Sequence, residues 1–149
     1  MKIITIVAAI AASTVALPAF SQADASAGAD GFKKCKACHT IQNGDELIVR
    51  GGRTGPNLYG VIGRQAGTYE GFNYSDSMIA AGEAGLVWDE EKLATFISDP
   101  RAFLREYLDD DSARSKMSFR LREGGEDMAA YLATFSEAAE DESESETAN

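Results

Sequence analysis

Residues 35 to 39 read Cys35-Lys36-Ala37-Cys38-His39, and they contain both cysteines and the only histidine of the 149-residue chain. This is the C-x-x-C-H pattern of covalent haem attachment. The spacing has a chemical reason, because each thiol adds to one vinyl group of the haem and the histidine that follows is then held under the iron. The motif therefore predicts one haem c bound through Cys35 and Cys38, with His39 as an axial ligand.

Two other kinds of site use cysteines at this spacing. A thioredoxin-like dithiol normally follows a strand of a βαβ unit, and no such unit is predicted here. A zinc site needs further ligands, and the cysteines and the histidine are already used up by the motif. Haem attachment is the favoured interpretation.

Residues 1 to 21 have the organisation of a cleaved signal peptide. Lys2 supplies the positive start, Ile3 to Leu17 is almost wholly apolar, and Ala19-Phe20-Ser21 is a small-x-small cleavage site. The alternative is an uncleaved membrane anchor, and the polar residues that follow directly disfavour it. We therefore expect export to the periplasm, with cleavage after this tripeptide and a mature chain that starts at Gln22.

The remaining chain is expected to form one domain, 22 to 136, followed by a disordered acidic tail, 137 to 149. Its length suits one compact domain with a modest core. The tail has six acidic residues and no positive charge, which predicts disorder. The formal net charge of −10, or −11 once Lys2 is removed, disfavours binding to nucleic acid.

Helical spacing of apolar residues predicts an all-α domain of about five short helices and long loops. Short helices are expected from Asp24 to the cysteines and over residues 75 to 81. Asp89 caps a third helix, and Asp99-Pro100 ends it and begins a fourth. The last helix is marked by apolar residues at i, i+3, i+4 and i+7: Met128, Tyr131, Leu132 and Phe135. The segment 40 to 74 holds no convincing helix or strand, so we expect it to wrap around something.

The sixth ligand of the iron decides what the haem does. A thioether favours reversible electron transfer and raises the potential, whereas an open position binds gases or peroxide. Without a second histidine, the candidates are Met78, Met117 and Met128. Met128 belongs to the apolar stripe of the last helix and Met78 to a short, surface-like helix. Met117 has no apolar periodicity to explain it, so it is the preferred ligand.

At this point several ordered motifs resemble the class I c-type cytochromes, and more narrowly the cytochromes c2 of purple bacteria, over most of residues 25 to 135. The motifs are Thr54-Gly55-Pro56-Asn57-Leu58-Tyr59-Gly60, Gly63-Arg64, Phe72-Asn73-Tyr74, Lys116-Met117-Ser118-Phe119 and Ala130-Tyr131-Leu132. The resemblance implies the cytochrome c fold, with five short helices and long loops around one covalently bound haem.

The resemblance also implies roles for individual residues. Pro56 would accept a hydrogen bond from Nδ1 of His39 and so orient the ligand ring. Four residues would lie near the haem propionates and compensate their charge: Arg64, Tyr74, Trp88 and Ser115. Gly28 and Phe32 would meet Tyr131 where the first and last helices cross.

Positive charge is concentrated around the two ligand segments. Residues 33 to 39 and 112 to 122 contain no acid and carry seven of the thirteen cationic residues of the mature chain: Lys33, Lys34, Lys36, Arg114, Lys116, Arg120 and Arg122. In the expected fold these residues would ring the exposed haem edge. Such a face suits brief docking to an acidic redox partner, through Lys33, Lys34, Lys36, Lys116 and Arg120.

These features together predict a carrier of single electrons and not an enzyme. By resemblance it would be a monomer that moves electrons from the cytochrome bc1 complex to a photosynthetic reaction centre or a terminal oxidase. One alternative is a haem enzyme, such as a peroxidase or a dehydrogenase subunit, which would require an open sixth coordination position on the iron. Another is a gas-binding cytochrome of the four-helix type, whose attachment motif usually lies in the last helix.

Covalent attachment and export are tested together on the mature protein. We expect acid acetone to leave the haem on the chain, because thioether bonds survive acid. Mass spectrometry should find one haem added to a chain that starts at Gln22. An extractable haem would contradict attachment, and an intact Met1 would contradict cleavage.

Overall fold

The computed structural model of the chain describes the backbone of residues 22 to 147 and the side chains of residues 22 to 136. The predicted signal peptide, 1 to 21, lies outside the described residues. The five helices of the described range are α1 (Ala25–Gly31), α2 (Asp76–Glu83), α3 (Glu90–Ser98), α4 (Pro100–Leu108) and α5 (Gly125–Thr147). A single 3-10 turn, Phe32–Lys34, follows α1, and two strands, β1 (Ile41–Asn43) and β2 (Glu46–Val49), follow the cysteine motif. None of the helices in the described range has the length and apolar content of a membrane-crossing segment.

The first four helices begin at residues whose side chains accept hydrogen bonds from the first helical turn. Asp24 Oδ1 accepts from Ser26 N at 2.8 Å, and Asp99 Oδ1 accepts from Ala102 N at 3.1 Å. Asp89 and Ser75 cap α3 and α2 in the same way. Such caps satisfy backbone N–H groups that have no partner inside the helix. The predicted starts at Asp24, Asp89 and Asp99-Pro100 are confirmed.

Helices α1 and α5 cross at close range. The outer face of Gly28 lies against the backbone carbonyl of Asp127, so close that a Cβ on residue 28 would come within 2.0 Å of the carbonyl oxygen. The rings of Phe32 and Tyr131 pack with their centroids 5.6 Å apart. The predicted meeting of Gly28 and Phe32 with Tyr131 is confirmed, and it brings the cysteine motif beside α5.

The segment 40 to 74 contains a small β-hairpin, so the prediction that it lacks strands is wrong. Strands β1 and β2 are antiparallel and pair Asn43 with Glu46, which leaves a two-residue turn. Gly44 occupies the first turn position with φ at 51°, a conformation that glycine adopts without strain. Gly-Asp between two short strands is a hairpin signal, and the periodicity of apolar residues does not register it.

The last helix is longer than its apolar pattern indicates. Its backbone is helical as far as Thr147, whereas the acidic composition predicts disorder from residue 137. Alanine and glutamate are strong helix formers, which accounts for the continued helical backbone. The domain boundary after residue 136 stays a prediction.

Candidate haem site

A cavity of about 270 Å³ lies at the centre of the domain. It is bounded by the cysteine motif, the loop around Pro56, helices α2, α3 and α5, and the segment that carries Met117. The nine site residues predicted from the sequence all line it: Cys35, Cys38, His39, Pro56, Arg64, Tyr74, Trp88, Ser115 and Met117. The fold therefore brings together residues that are separated by up to 82 positions in the sequence.

His39 is held in one orientation by its surroundings. Its Nδ1 lies 2.8 Å from the carbonyl oxygen of Pro56, which can only accept, so the imidazole donates from Nδ1. Gly55 packs against the ring, and a Cβ at that position would lie 2.4 Å from Cε1 of His39. Burial lowers the pKa of His39, and the hydrogen bond to Pro56 opposes this shift in part. The result is a neutral imidazole whose Nε2 lone pair is free to bind a metal.

Asn57 holds the loop that presents the Pro56 carbonyl, a role that sequence reasoning missed. Its Oδ1 accepts from the backbone N–H of Gln42 at 3.0 Å and of Tyr59 at 3.1 Å. Its Nδ2 donates to the carbonyl oxygen of Gln42 at 2.7 Å. Asn57 thus ties the loop to β1. The signal that could have identified it is its place directly after Pro56 in the motif.

Arg64 lies at the edge of the cavity in a fixed position. Its guanidinium donates to the carbonyl oxygen of Asn57 through both Nη atoms at 3.1 Å, and to that of Tyr59 through Nη2 at 2.9 Å. The ring of Tyr69 stacks on the guanidinium carbon at 5.1 Å from its centroid. Burial lowers the pKa of Arg64, and the neighbouring Tyr74 and Tyr69 oppose this shift in part. A guanidinium has five N–H donors, and these bonds do not use all of them. The remaining donors can bind an anionic group in the cavity.

Besides lining the cavity, Trp88 packs against other aromatic rings and Ser115 accepts a backbone hydrogen bond. Trp88 is buried, and its ring centroid lies 5.0 Å from that of Phe96 and 5.8 Å from that of Phe103. The Ser115 hydroxyl accepts a hydrogen bond from Met117 N at 3.1 Å. Ser115 therefore shapes the turn that points Met117 at the cavity.

All three candidate methionines line the cavity. Met117 is half-buried, while Met128 and Met78 are 2% and 8% exposed. The interpretation of Met78 as part of a surface-like helix is wrong, because α2 buries Met78, Ala81 and Gly82 on one face. Their spacing of i, i+3 and i+4 was the signal of that face. All three thioethers therefore lie where they can contact a group held in the cavity.

The donor set and the enclosure fit a covalently bound haem. Cys35 is half-buried and Cys38 exposed, both line the cavity, and no disulfide joins them. The imidazole and the thioethers supply the nitrogen and sulfur atoms that haem iron accepts. The rest of the lining is largely apolar, with Leu58, Val61 and Leu132 among its members. Within the described residues no group of three or more His, Cys, Asp or Glu side chains could hold a metal ion by itself.

Whole-chain comparisons give the same assignment as the motifs. No protein-family model matches the chain. It is 56% identical to cytochrome c-551 of Roseobacter denitrificans over 133 residues, which cover 89% of this chain and 95% of the relative. It is 54% identical to cytochrome c2 of Rhodobacter capsulatus over 136 residues, which cover 90% of this chain and 98% of the relative.

Solved structures agree with these relatives. The structure of cytochrome c2 from Rhodobacter capsulatus matches with a TM-score of 0.73 and 55% identity, covering 74% of this chain and 97% of that one. Ferric cytochrome c-550 from Paracoccus versutus matches with a TM-score of 0.74 and 44% identity, covering 76% and 98%. The resemblance and the fold class predicted from the sequence are confirmed.

The position of Arg64 leads to a prediction about the reduction potential. A positive charge beside the cavity favours the reduced iron, so Arg64→Gln should lower the potential by tens of millivolts. It should also destabilise the fold by about 1 to 3 kcal/mol, because buried carbonyl groups lose their donors. Potentiometric titration and denaturant unfolding measure the two effects.

Lys92→Gln is the matched control, since it removes one positive charge from α3 at a residue that does not line the cavity. An equal shift of potential in both variants would show that Arg64 acts only through the net charge of the protein.

Proposed function

The chain belongs to the cytochrome c2 family of class I c-type cytochromes, and from this we propose that it is a periplasmic shuttle that carries single electrons between membrane-bound redox complexes. The cofactor of the family is one covalent haem c, which supplies a reversible one-electron couple. The observation that carries the proposal is the convergence of both thiols, the histidine and a methionine on one apolar cavity. The signal peptide predicted for residues 1 to 21 supports a periplasmic location.

In this proposal His39 and Met117 are the axial ligands, and Cys35 and Cys38 form the thioethers. Donation from His39 Nδ1 to the Pro56 carbonyl holds the ring plane and would leave Nε2 free to bind the iron. Met117 is favoured over the other methionines by its motif, Lys116-Met117-Ser118-Phe119. Two ligands that the chain holds in place would keep the reorganisation on electron transfer small.

Charge compensation of the haem propionates is assigned to Arg64, Tyr74, Trp88 and Ser115. The best-supported member is Arg64, because its carbonyl bonds and the Tyr69 ring fix the guanidinium at the cavity edge. Burial raises the pKa of Tyr74, which keeps its hydroxyl protonated and able to donate. Fixed donors stabilise carboxylates that are partly removed from water.

A carrier is favoured over a haem enzyme by the chemistry of the cavity wall. Among the described residues that line it, the titratable groups are cationic, thiol, imidazole or phenol groups, and none is a carboxylate. Peroxidase chemistry requires a polar acid–base pair beside an open coordination position of the iron. The gas-binding alternative of the four-helix type has its attachment motif in the last helix, whereas here Cys35 follows α1.

The docking surface that we propose is the basic rim, defined as Lys33, Lys34, Lys36, Lys116 and Arg120. Lys34 and Lys116 line the cavity, so positive charge reaches its mouth. Phe119 lies at the same mouth with 43% of its surface exposed and offers an apolar contact. An acidic site on the cytochrome bc1 complex, and one on a photosynthetic reaction centre or terminal oxidase, would complement this rim.

Replacement of the methionines one at a time tests the axial ligand. Met117→Leu should abolish the weak near-infrared absorption of ferric haem bound to methionine sulfur, and it should lower the potential, because the thioether stabilises reduced iron. Leucine is close in volume to methionine, so packing should change little. Met78→Leu and Met128→Leu remove the other two thioethers of the cavity and should retain the band. Loss of the band in one of these, with retention in Met117→Leu, would move the ligand to that position.

Charge reversal at the rim tests the docking surface. Lys34→Glu should slow association with the bc1 complex at low salt, with the difference fading as ionic strength approaches physiological values and the Debye length falls to about 8 Å. Stopped-flow electron transfer across a salt series measures this. Lys92→Glu makes the same change of net charge away from the cavity. If both variants slow the reaction equally, the rim has no special role in docking.

A further inference from the structure

The segment that carries Met117 is exposed along its length and buried only where it ends. We define the methionine strap as residues 114 to 120. Ala113 and Leu121, which flank it, are 1% and 6% exposed, while every residue of the strap itself is at least partly exposed. Burial in the core therefore fixes Ala113 and Leu121. The residues between them are held by hydrogen bonds and an ion pair.

Space lies on both sides of the strap. On its inner side is the haem cavity, and on its outer side is a second cavity of about 250 Å³ between the strap and the Asp99–Arg101 segment at the start of α4. Ser115, Met117 and Ser118 line both cavities. Because little packs behind Met117 on the outer side, the position of its sulfur depends on the bonds that hold the strap.

Hydrogen bonds to α2 hold the N-terminal end of the strap. Ser75 Oγ donates to the carbonyl oxygen of Arg114 at 3.1 Å, and Arg114 N donates to Ser77 Oγ at 3.0 Å. Arg114 is thus hydrogen-bonded through both its carbonyl oxygen and its amide N–H, which fixes the two peptide planes on either side of it. We call these two bonds the serine clasp. Lys116 Nζ adds a bond to the carbonyl oxygen of Asn73 at 2.6 Å.

Different contacts hold the C-terminal end. Leu121 N donates to the carbonyl oxygen of Ile97 at 2.8 Å, and Arg120 pairs with Asp99 at 3.2 Å. The Arg120–Asp99 pair is half-exposed, so it contributes at most about 1 kcal/mol. Of the bonds that tie the backbone of this segment to another helix, those of the serine clasp lie nearer to Met117, three residues away against four for Leu121.

We propose that Ser75 and Ser77 are positioning residues for Met117, and that the serine clasp controls how often the sixth coordination position opens to a small ligand. The proposal rests on Met117 being the axial ligand. A ligand that competes with Met117 binds only the open form, so its apparent affinity is proportional to the open fraction. Loss of one clasp bond raises the open fraction. The apparent affinity of the competitor then rises by the same factor.

Ser77→Ala is the cleanest variant, because the Ser77 hydroxyl has no capping role in α2. It leaves Arg114 N without its partner. We expect the oxidised holoprotein to bind imidazole about fivefold more tightly, the equivalent of a hydrogen bond of ~1 kcal/mol. Absorbance titration gives the dissociation constant, and loss of the near-infrared methionine band reports displacement of Met117.

Ser75 needs a variant that separates its two roles, because its hydroxyl also accepts from Met78 N at 3.3 Å and caps α2. Ser75→Asp keeps the acceptor that caps the helix but has no proton to donate to the Arg114 carbonyl. It too should strengthen imidazole binding. Ser77→Thr retains a hydroxyl and should restore the wild-type affinity.

Ser98→Ala is the control, since Ser98 Oγ donates to Thr95 O at 2.7 Å within α3 and lines neither cavity. Its imidazole affinity should equal that of the wild type. If Ser77→Ala and Ser75→Asp also match the wild type, the serine clasp does not position Met117 and the proposal is overturned. A wild-type protein that lacks the methionine band would instead refute the ligand assignment on which it rests.

Discussion

Contact between the haem and the apolar cavity wall is the interaction on which the rest of this structure depends. The buried side chains of α2, α3 and α5 face the cavity and pack around it, so the haem takes the place of a central core. Folding around a void of about 270 Å³ would cost on the order of 6 kcal/mol at roughly 24 cal/mol per Å³. A small domain has only about 5 to 15 kcal/mol of total stability. Covalent attachment secures the group that fills this space, which explains how short helices and long loops make a stable domain.

The long loops are organised by polar side chains, because they lack helical or sheet hydrogen bonding of their own. Asn57 and Arg64 together satisfy the backbone groups of Gln42, Tyr59 and Asn57 itself. Arg64 lines the cavity and Asn57 directly follows Pro56, which also lines it. The bonds that order the loop therefore also hold the Pro56 carbonyl beside His39 and the guanidinium at the cavity edge. Loop order and cofactor chemistry are thereby coupled.

Local sequence was sufficient for the parts of the fold that local chemistry determines. The cysteine motif, the caps at Asp24 and Asp89, and the break at Asp99-Pro100 each depend on neighbouring residues, and all could be predicted. The tie from Asn57 to β1 could not, because it joins segments that meet only through space. The burial of Met78 was missed although its spacing with Ala81 and Gly82 is a local signal. The family resemblance supplied Pro56 and Arg64, whose roles have no periodic signal. The hairpin at Gly44 was missed although its turn residues are local.

Charge distribution adds a directional effect that the net charge conceals. At distances well beyond the Debye length of about 8 Å, an acidic partner and this acidic protein are screened from each other. At closer range the partner experiences the nearest charges, and those at the mouth of the cavity, Lys34 and Lys116, are cationic. Approach from other sides is opposed by acidic residues such as Glu90 and Glu91, which are exposed at the start of α3. In the proposed docking, the overall negative charge would therefore disfavour unproductive encounters, while the rim would favour those that bring the partner to the haem edge.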